Sequence, residues 1–402
     1  MEDRNMKING DEVLAIAKSI EPDIINWRRK VHRYPELGMD TPRTSAFIKE
    51  TLESMGIEVR SAAGYGVVGT LKGLGNRTIA LRADIDALPV TEETGLPYAS
   101  EVPGQMHACG HDAHVAIVLG AAKILSRLRG HLNGNVRFIF QPGEEGPGGA
   151  QPMIDDGVLE SPKVDAIIGG HVGMLWPVES GQFGFKSGPL MAATDSFTIA
   201  VRGKGGHGAT PNQCIDPVVI AAQIVLGLQA IVSREVNPIS PAVVTIGKIE
   251  AGTRNNIIPQ ECIMQGTVRY FEKNLEQFIP QRMKEIVEGI AGAMRGEAIL
   301  AYKYGYRPLI NDHGITELVK NAALSVAGPD NVVDVGEPTM GAEDMSYYLE
   351  KVPGTFIAIG TGNKEKDTAY PNHHPKFTVD EDVLHVASSV FAKACLDFLA
   401  DK

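Results

Sequence analysis

Six hydrophobic runs between residues 189 and 306 follow one another in the order β-α-β-β-α-β, which leaves this part of the chain few ways to fold. Strand-like runs cover 196–201, 242–249, 261–270 and 298–304, and apolar residues recur at helical spacing over 215–235 and 275–295. The order predicts a ferredoxin-like unit, entered through the turn Lys186-Ser187-Gly188-Pro189 and left at Arg307-Pro308. The flanks read differently. Short β-type runs at 78–83, 136–140 and 166–170 alternate with a helical stretch at 113–128. Beyond the unit come helices at 314–327 and from about Asp344, a strand at 356–359 and a final helix at 380–399. Alternation of this kind predicts an α/β fold with a mostly parallel sheet. The expected organisation is one α/β domain built from residues 1–188 and 307–402, with the ferredoxin-like domain, residues 189–306, inserted into it.

Composition narrows the class. Two or three domains suit 402 residues at ~150 per domain, and 43% hydrophobic with 22% charged residues is globular usage. No stretch approaches the ~18 uninterrupted apolar residues of a membrane helix. Residues 1–13 are polar and acidic, without the basic start and apolar core of a secretory signal, so the cytoplasm is the expected location. Cys109, Cys214, Cys262 and Cys395 are widely spaced, which argues against a disulfide framework and a zinc ribbon. A formal charge of -11 and the lack of a basic run make nucleic acid an unsuitable partner.

In open α/β sheets ligands bind beyond the carboxyl ends of the strands. Asp84-Ile85-Asp86 follows the first strand, Gln141-Pro142-Gly143-Glu144-Glu145 the second, His171 the third, and a loop ending in Asn372-His373-His374-Pro375 the last. His107-Ala108-Cys109-Gly110-His111-Asp112-Ala113-His114 stands just before a helix, whose N-terminus favours Cys109 as thiolate. The other cysteines read as small buried hydrophobes, and His32, His131, His313 and His385 as structural. His107 and His114 suit an orienting role. Gly203-Lys204-Gly205-Gly206-His207-Gly208 imitates a dinucleotide fingerprint, but Pro211 follows and no acidic residue ends a partner strand. The chain has neither a G-x-S-x-G elbow nor a P-loop.

Taken together, Cys109-Gly110-His111-Asp112-Ala113-His114, Gln141 to Glu145, Gly169-Gly170-His171, Gly205-Gly206-His207, Gly341-Ala342-Glu343-Asp344 and His373-His374-Pro375-Lys376-Phe377 resemble the M20 metallopeptidase family. More narrowly they are similar to its amidohydrolase branch of hippurate hydrolases, N-acyl amino acid deacylases and auxin-conjugate hydrolases. The resemblance spans nearly the whole chain, from Arg28 to Glu36 onward. It implies a catalytic α/β domain with a lid or dimerisation domain, and two divalent cations, manganese, zinc, cobalt or nickel, held by Cys109, His111, Glu145, His171 and His373. Asp84 stands where the family's peptidases carry a ligand His, and Cys109 where they carry a bridging Asp. Asp86 keeps the position that orients a ligand.

The expected reaction is hydrolysis of the amide of a small N-acylated amino acid. Paired cations suit it, because an amide is a poor electrophile and water a poor nucleophile. Glu144 is then the general acid/base beside the ligand Glu145. By resemblance His207 supplies the transition-state donor, while Asn256 and Arg269 contact the substrate carboxylate. The helical run at 215–233, apolar on nearly every face, together with the resemblance points to a homodimer. A metallo-dipeptidase and a catalytically silent metal-binding protein are the alternatives. Asp84 and Cys109 argue against the first, the intact Glu144 against the second.

Overall fold

The computed structural model describes residues 8–400, so residues 1–7 of the polar N-terminal segment lie outside the described residues. The chain divides into a unit of Met1–Leu190, Ile310–Glu337 and Asp344–Lys402, and a second of Met191–Leu309 with Pro338–Glu343.

The first unit is built on an eight-stranded sheet in the order Glu58–Ala62, Gly66–Leu71, Asn135–Gln141, Thr78–Asp84, Ala166–Gly173, Gly354–Gly360, Phe183–Phe185, Val332–Asp334. Its central strands are parallel: Thr78–Asp84 pairs with Asn135–Gln141 and Ala166–Gly173, and Gly354–Gly360 with Ala166–Gly173. Antiparallel pairs occur toward the edges. All four central strands are buried at every position, as strands of a sheet covered on both faces are, and the polar residues among them, such as Arg82, Asp84 and Gln141, are paired with one another. The helix His111–Arg127 is buried along nearly its whole length, against Glu21–Arg33 and Leu384–Ala400. The helical stretch Glu381–Ala400 has the length and composition to cross a membrane, but it packs into this core.

Three differences from expectation matter. The helix after Cys109 begins at His111 rather than 113, because Gly110 takes a left-handed conformation and ends the preceding turn. His171 lies inside its strand, Ala166–Gly173, instead of following it. The N-terminal helices Gly10–Ser19, Glu21–Arg33 and Pro42–Ser54 had no counterpart in the expected elements.

The second unit is a four-stranded antiparallel sheet in the order Ala242–Ala251, Glu261–Tyr270, Ala193–Arg202, Glu297–Lys303. Helices Pro217–Ala230 and Leu275–Ala293 pack with it, which is the ferredoxin-like arrangement. Alternation decides the inner face: Ala193, Asp195, Phe197, Ile199 and Val201 are buried, with their neighbours more exposed. Pro338–Glu343, expected with the α/β domain, groups with this unit because Ala192 N donates to Thr339 O and Gly341 O at 3.1 and 2.9 Å. Pro217–Glu235 is also long and apolar enough to cross a membrane, and its helix leaves Val218, Val219 and Leu226 exposed.

Candidate metal centre

The segment before the first-unit helix His111–Arg127 sets the geometry. Gly110, at φ 90°, places the buried Cys109 and His111 on either side of a left-handed residue. His171 Nε2 lies 3.3 Å from Cys109 Sγ, while His171 Nδ1 is 2.7 Å from Val172 O. That carbonyl can only accept, so Nδ1 carries the proton and the Nε2 lone pair faces the thiol. His373 Nε2 stands 3.3 Å from the same sulfur and 3.2 Å from Glu145 Oε1. Its φ of 70° and the bond from its amide to Ala108 O, 2.7 Å, turn the ring inward. His374 is turned away, accepting from Lys376 N and stacking on Tyr370. Asn372 ties the pieces together by donating to Cys109 O and Val172 O, each at 3.2 Å.

Asp86 holds the acidic pair. Its two carboxylate oxygens accept from Glu144 N and Glu145 N at 3.0 and 3.1 Å, and Oδ1 lies 3.6 Å from His111 Nδ1. His114 has no lone pair to offer a cation, because Nδ1 is 2.5 Å from Asp84 Oδ1 and Nε2 accepts from Val172 N at 2.9 Å. Asp84 is itself paired with Arg82. His32, read as structural, belongs to a buried network in which Asp112 accepts from Arg28 Nε at 2.6 Å and contacts His32 Nδ1 at 2.7 Å.

Electrostatics correct one expectation. Burial pushes the Cys109 thiol up, and the nearby His111 imidazole and the contact with His373 only partly offset it, so the helix N-terminus alone does not make a thiolate. The bonds to Cys109 and Glu145 raise His373 to about 10, whereas burial, with His114 nearby, lowers His171 to about 3. His111 is held well above its ordinary value: burial opposes its charge, but Asp84 and Asp86 outweigh that cost.

These donors fit divalent cations. Both ring nitrogens of His111 are buried without a hydrogen-bond partner, an arrangement that costs free energy unless a cation or solvent takes the lone pair. Cys109, His111 and His171 form one group whose ligand atoms lie within 4.8 Å of one another, and Cys109, Glu145 and His373 form a second, sharing the thiol. Thiol, imidazole and carboxylate suit first-row divalent metals.

A model of peptidase family M20/M25/M40 matches residues 80–397. The chain belongs to this family. Similar chains include thermostable carboxypeptidase 1 of Saccharolobus solfataricus, 42% identical over 387 residues, with 95% of this chain and 96% of that one covered. N-acyl-L-amino acid amidohydrolase of Geobacillus stearothermophilus is 46% identical over 305 residues, covering 75% and 81%. The crystal structure of the Bacillus subtilis YXEP protein, described as a dinuclear metal binding peptidase from the M20 family, matches with a TM-score of 0.83 at 38% identity, covering 96% and 99%.

The remaining candidate residues of this M20 chain belong to the second unit. His207 pairs with Ile257 in a two-stranded ladder, and Gly208 N donates to Asn256 O, so His207 and Asn256 are neighbours. His207 Nδ1 accepts from Ala209 N at 3.0 Å, which leaves the proton, and a donor, on Nε2. Arg269 lies on the separate strand Glu261–Tyr270 and donates within it, to Thr267 Oγ1 and to Val268 O.

Proposed function

We propose that this M20 protein hydrolyses the amide bond of small N-acylated amino acids, with two divalent cations held by Cys109, His111, Glu145, His171 and His373. The observation that carries the reading is the shared thiol: two three-residue groups meet at Cys109, each with an imidazole beside the sulfur. When bound, the cations polarise the amide carbonyl and lower the pKa of water toward ~7. Glu144 takes a proton from the attacking water and returns it to the amide nitrogen as the C–N bond breaks, releasing a carboxylate and an amine. Asp86 fixes Glu144 and Glu145 through their backbone amides. His207 donates to the developing oxyanion, and Asn256 and Arg269 receive the substrate carboxylate.

The carboxypeptidase relative favours a second reading that is chemically close to the first. The last residue of a peptide is itself an amino acid acylated on nitrogen, so both activities cut an amide whose nitrogen bears an α-carboxylate. They differ in the acyl side. The second unit serves as lid or dimerisation domain, and its helix Pro217–Ala230 finds cover for Leu226, 66% exposed, on a second copy of the chain.

The test is metal analysis followed by hydrolysis of acetyl-, benzoyl- and indoleacetyl-amino acids, with N-blocked and free dipeptides alongside. Turnover of the acyl-amino acids with little on free dipeptides is the expected result. Preference for free dipeptides, or no bound metal in an active protein, would overturn the reading.

A further inference from the structure

The loop that carries Glu144 and Glu145 is clamped at its crown by Asp86, and a second buried carboxylate closes its base. We infer that Asp344 is a positioning residue for this loop, an inference that rests on the roles proposed for Glu144 and Glu145. The loop leaves the strand Asn135–Gln141 at Gln141 and enters the helix Ala150–Asp155 through Gly149. Asp344 meets both ends. Its oxygens accept from Gln141 Nε2 at 2.9 and 2.8 Å, and its Oδ2 accepts from Gly149 N and Ala150 N at 3.0 Å each. Arg82 Nη2 adds a bond of 2.7 Å, and Arg82 Nε holds Gln141 Oε1 at 3.1 Å. Asp344 and Gln141 are fully buried and Arg82 nearly so.

The loop needs such a tie. Gly143, Gly146 and Gly148 all have positive φ, and glycines in such conformations lose the most freedom on ordering. The two stems touch, since a Cβ on Gly149 would lie 1.7 Å from Pro142 O. Backbone this closely apposed stays in register only while the carboxylate gathers the donors on both sides. Every partner of Asp344 is a donor. An amide in its place therefore turns its own N–H₂ against N–H groups and loses the charge that strengthens each bond. Asp344 is not one of the proposed cation ligands, but its carboxylate lies within 4.8 Å of those of Glu144 and Glu343, so amide exchange of the loop rather than kcat separates its hold on the backbone from its charge beside Glu144.

The experiment compares wild type, Asp344→Asn and Gln141→Leu, the last retaining the Asp344–Arg82 pair in case the first fails to fold. Hydrogen exchange of the metal-free proteins should quicken at least ~10-fold at residues 143–150 in Asp344→Asn and less in Gln141→Leu, with the central strand Ala166–Gly173 unchanged. Metal affinity should fall ~10-fold or more and kcat should drop with KM nearly constant. Asp344→Glu should restore part of the kcat, which a purely global loss of stability would not allow. Exchange, metal affinity and kcat all at wild-type values in both variants would overturn the positioning role. The exchange readout needs no activity, so a wild type that cleaves no acyl-amino acid would refute the proposed function while the clamp is still tested.

Discussion

Gly110 offers a sharp test of how the metal centre is held in place. An added Cβ would meet Val172 Cγ2 at 2.4 Å and Phe377 Cε1 and Cζ at 3.3 Å, and both neighbours are buried at 1% exposure. Neither has free space to retreat into. Gly110→Ala therefore incurs a left-handed backbone penalty of ~1–2 kcal/mol and overpacking of ~1–3 kcal/mol. Together these come to roughly 2–5 kcal/mol, or about 30- to 5000-fold in the unfolding equilibrium. Urea unfolding of the metal-free protein, followed by tryptophan fluorescence, isolates the effect, because Trp27 and Trp176 both belong to the first unit. The midpoint should fall with little change in slope. Since Gly110 separates two proposed ligands, metal affinity should weaken as well. Adding Val172→Ala should recover the packing part of the loss and leave the backbone part. Stability within ~0.5 kcal/mol of wild type in the single variant, with metal affinity unchanged, would refute the reasoning.

Glu144→Gln should keep its metals and lose at least ~10²-fold in turnover; metal loss there, with activity kept in Glu145→Gln, would show the two roles to be exchanged. Cys109→Ala should lower metal occupancy and abolish activity, measured by metal analysis and amide hydrolysis, while Cys214→Ala, Cys262→Ala and Cys395→Ala leave both nearly intact. If His207 serves the partner of a homodimer, mixing inactive Glu144→Gln with inactive His207→Ala should restore about a quarter of wild-type activity, because about half the dimers are mixed and one site of two is competent in each. Inactivity despite demonstrated subunit exchange would count against the shared site.

The order of elements in the second unit was legible because strand and helix periods alternate cleanly there. The first-unit helix Glu21–Arg33 was not, because Arg28 and His32 are buried at its core-facing side. In a pattern of apolar and polar letters, a buried ion network looks like a solvated face. Cys109, His111, Glu145 and His373 come together as the motif order suggested. The inward turn of His373 instead of His374 depends on a positive φ and one backbone bond, which residue types do not announce. The grouping of Pro338–Glu343 with the second unit likewise rests on carbonyls that every residue possesses. The elevated thiol pKa of Cys109 follows from burial, which a local reading of helix polarity does not weigh.

The pairing of Ala166–Gly173 with Gly354–Gly360 has a consequence for synthesis. The ribosome delivers the second strand some 180 residues after the first, roughly 10 to 40 s later at ~5–20 residues per second. Throughout that interval the entire ferredoxin-like sequence 191–309 emerges, while one side of Ala166–Gly173 waits without its neighbour. The nascent chain thus carries an unpaired strand edge, apolar but for His171, that must be shielded, by a chaperone or by its own early helices. His373 arrives later still, so the proposed ligand group of Cys109, Glu145 and His373 cannot assemble until some 200 residues after Ala166–Gly173 have been made.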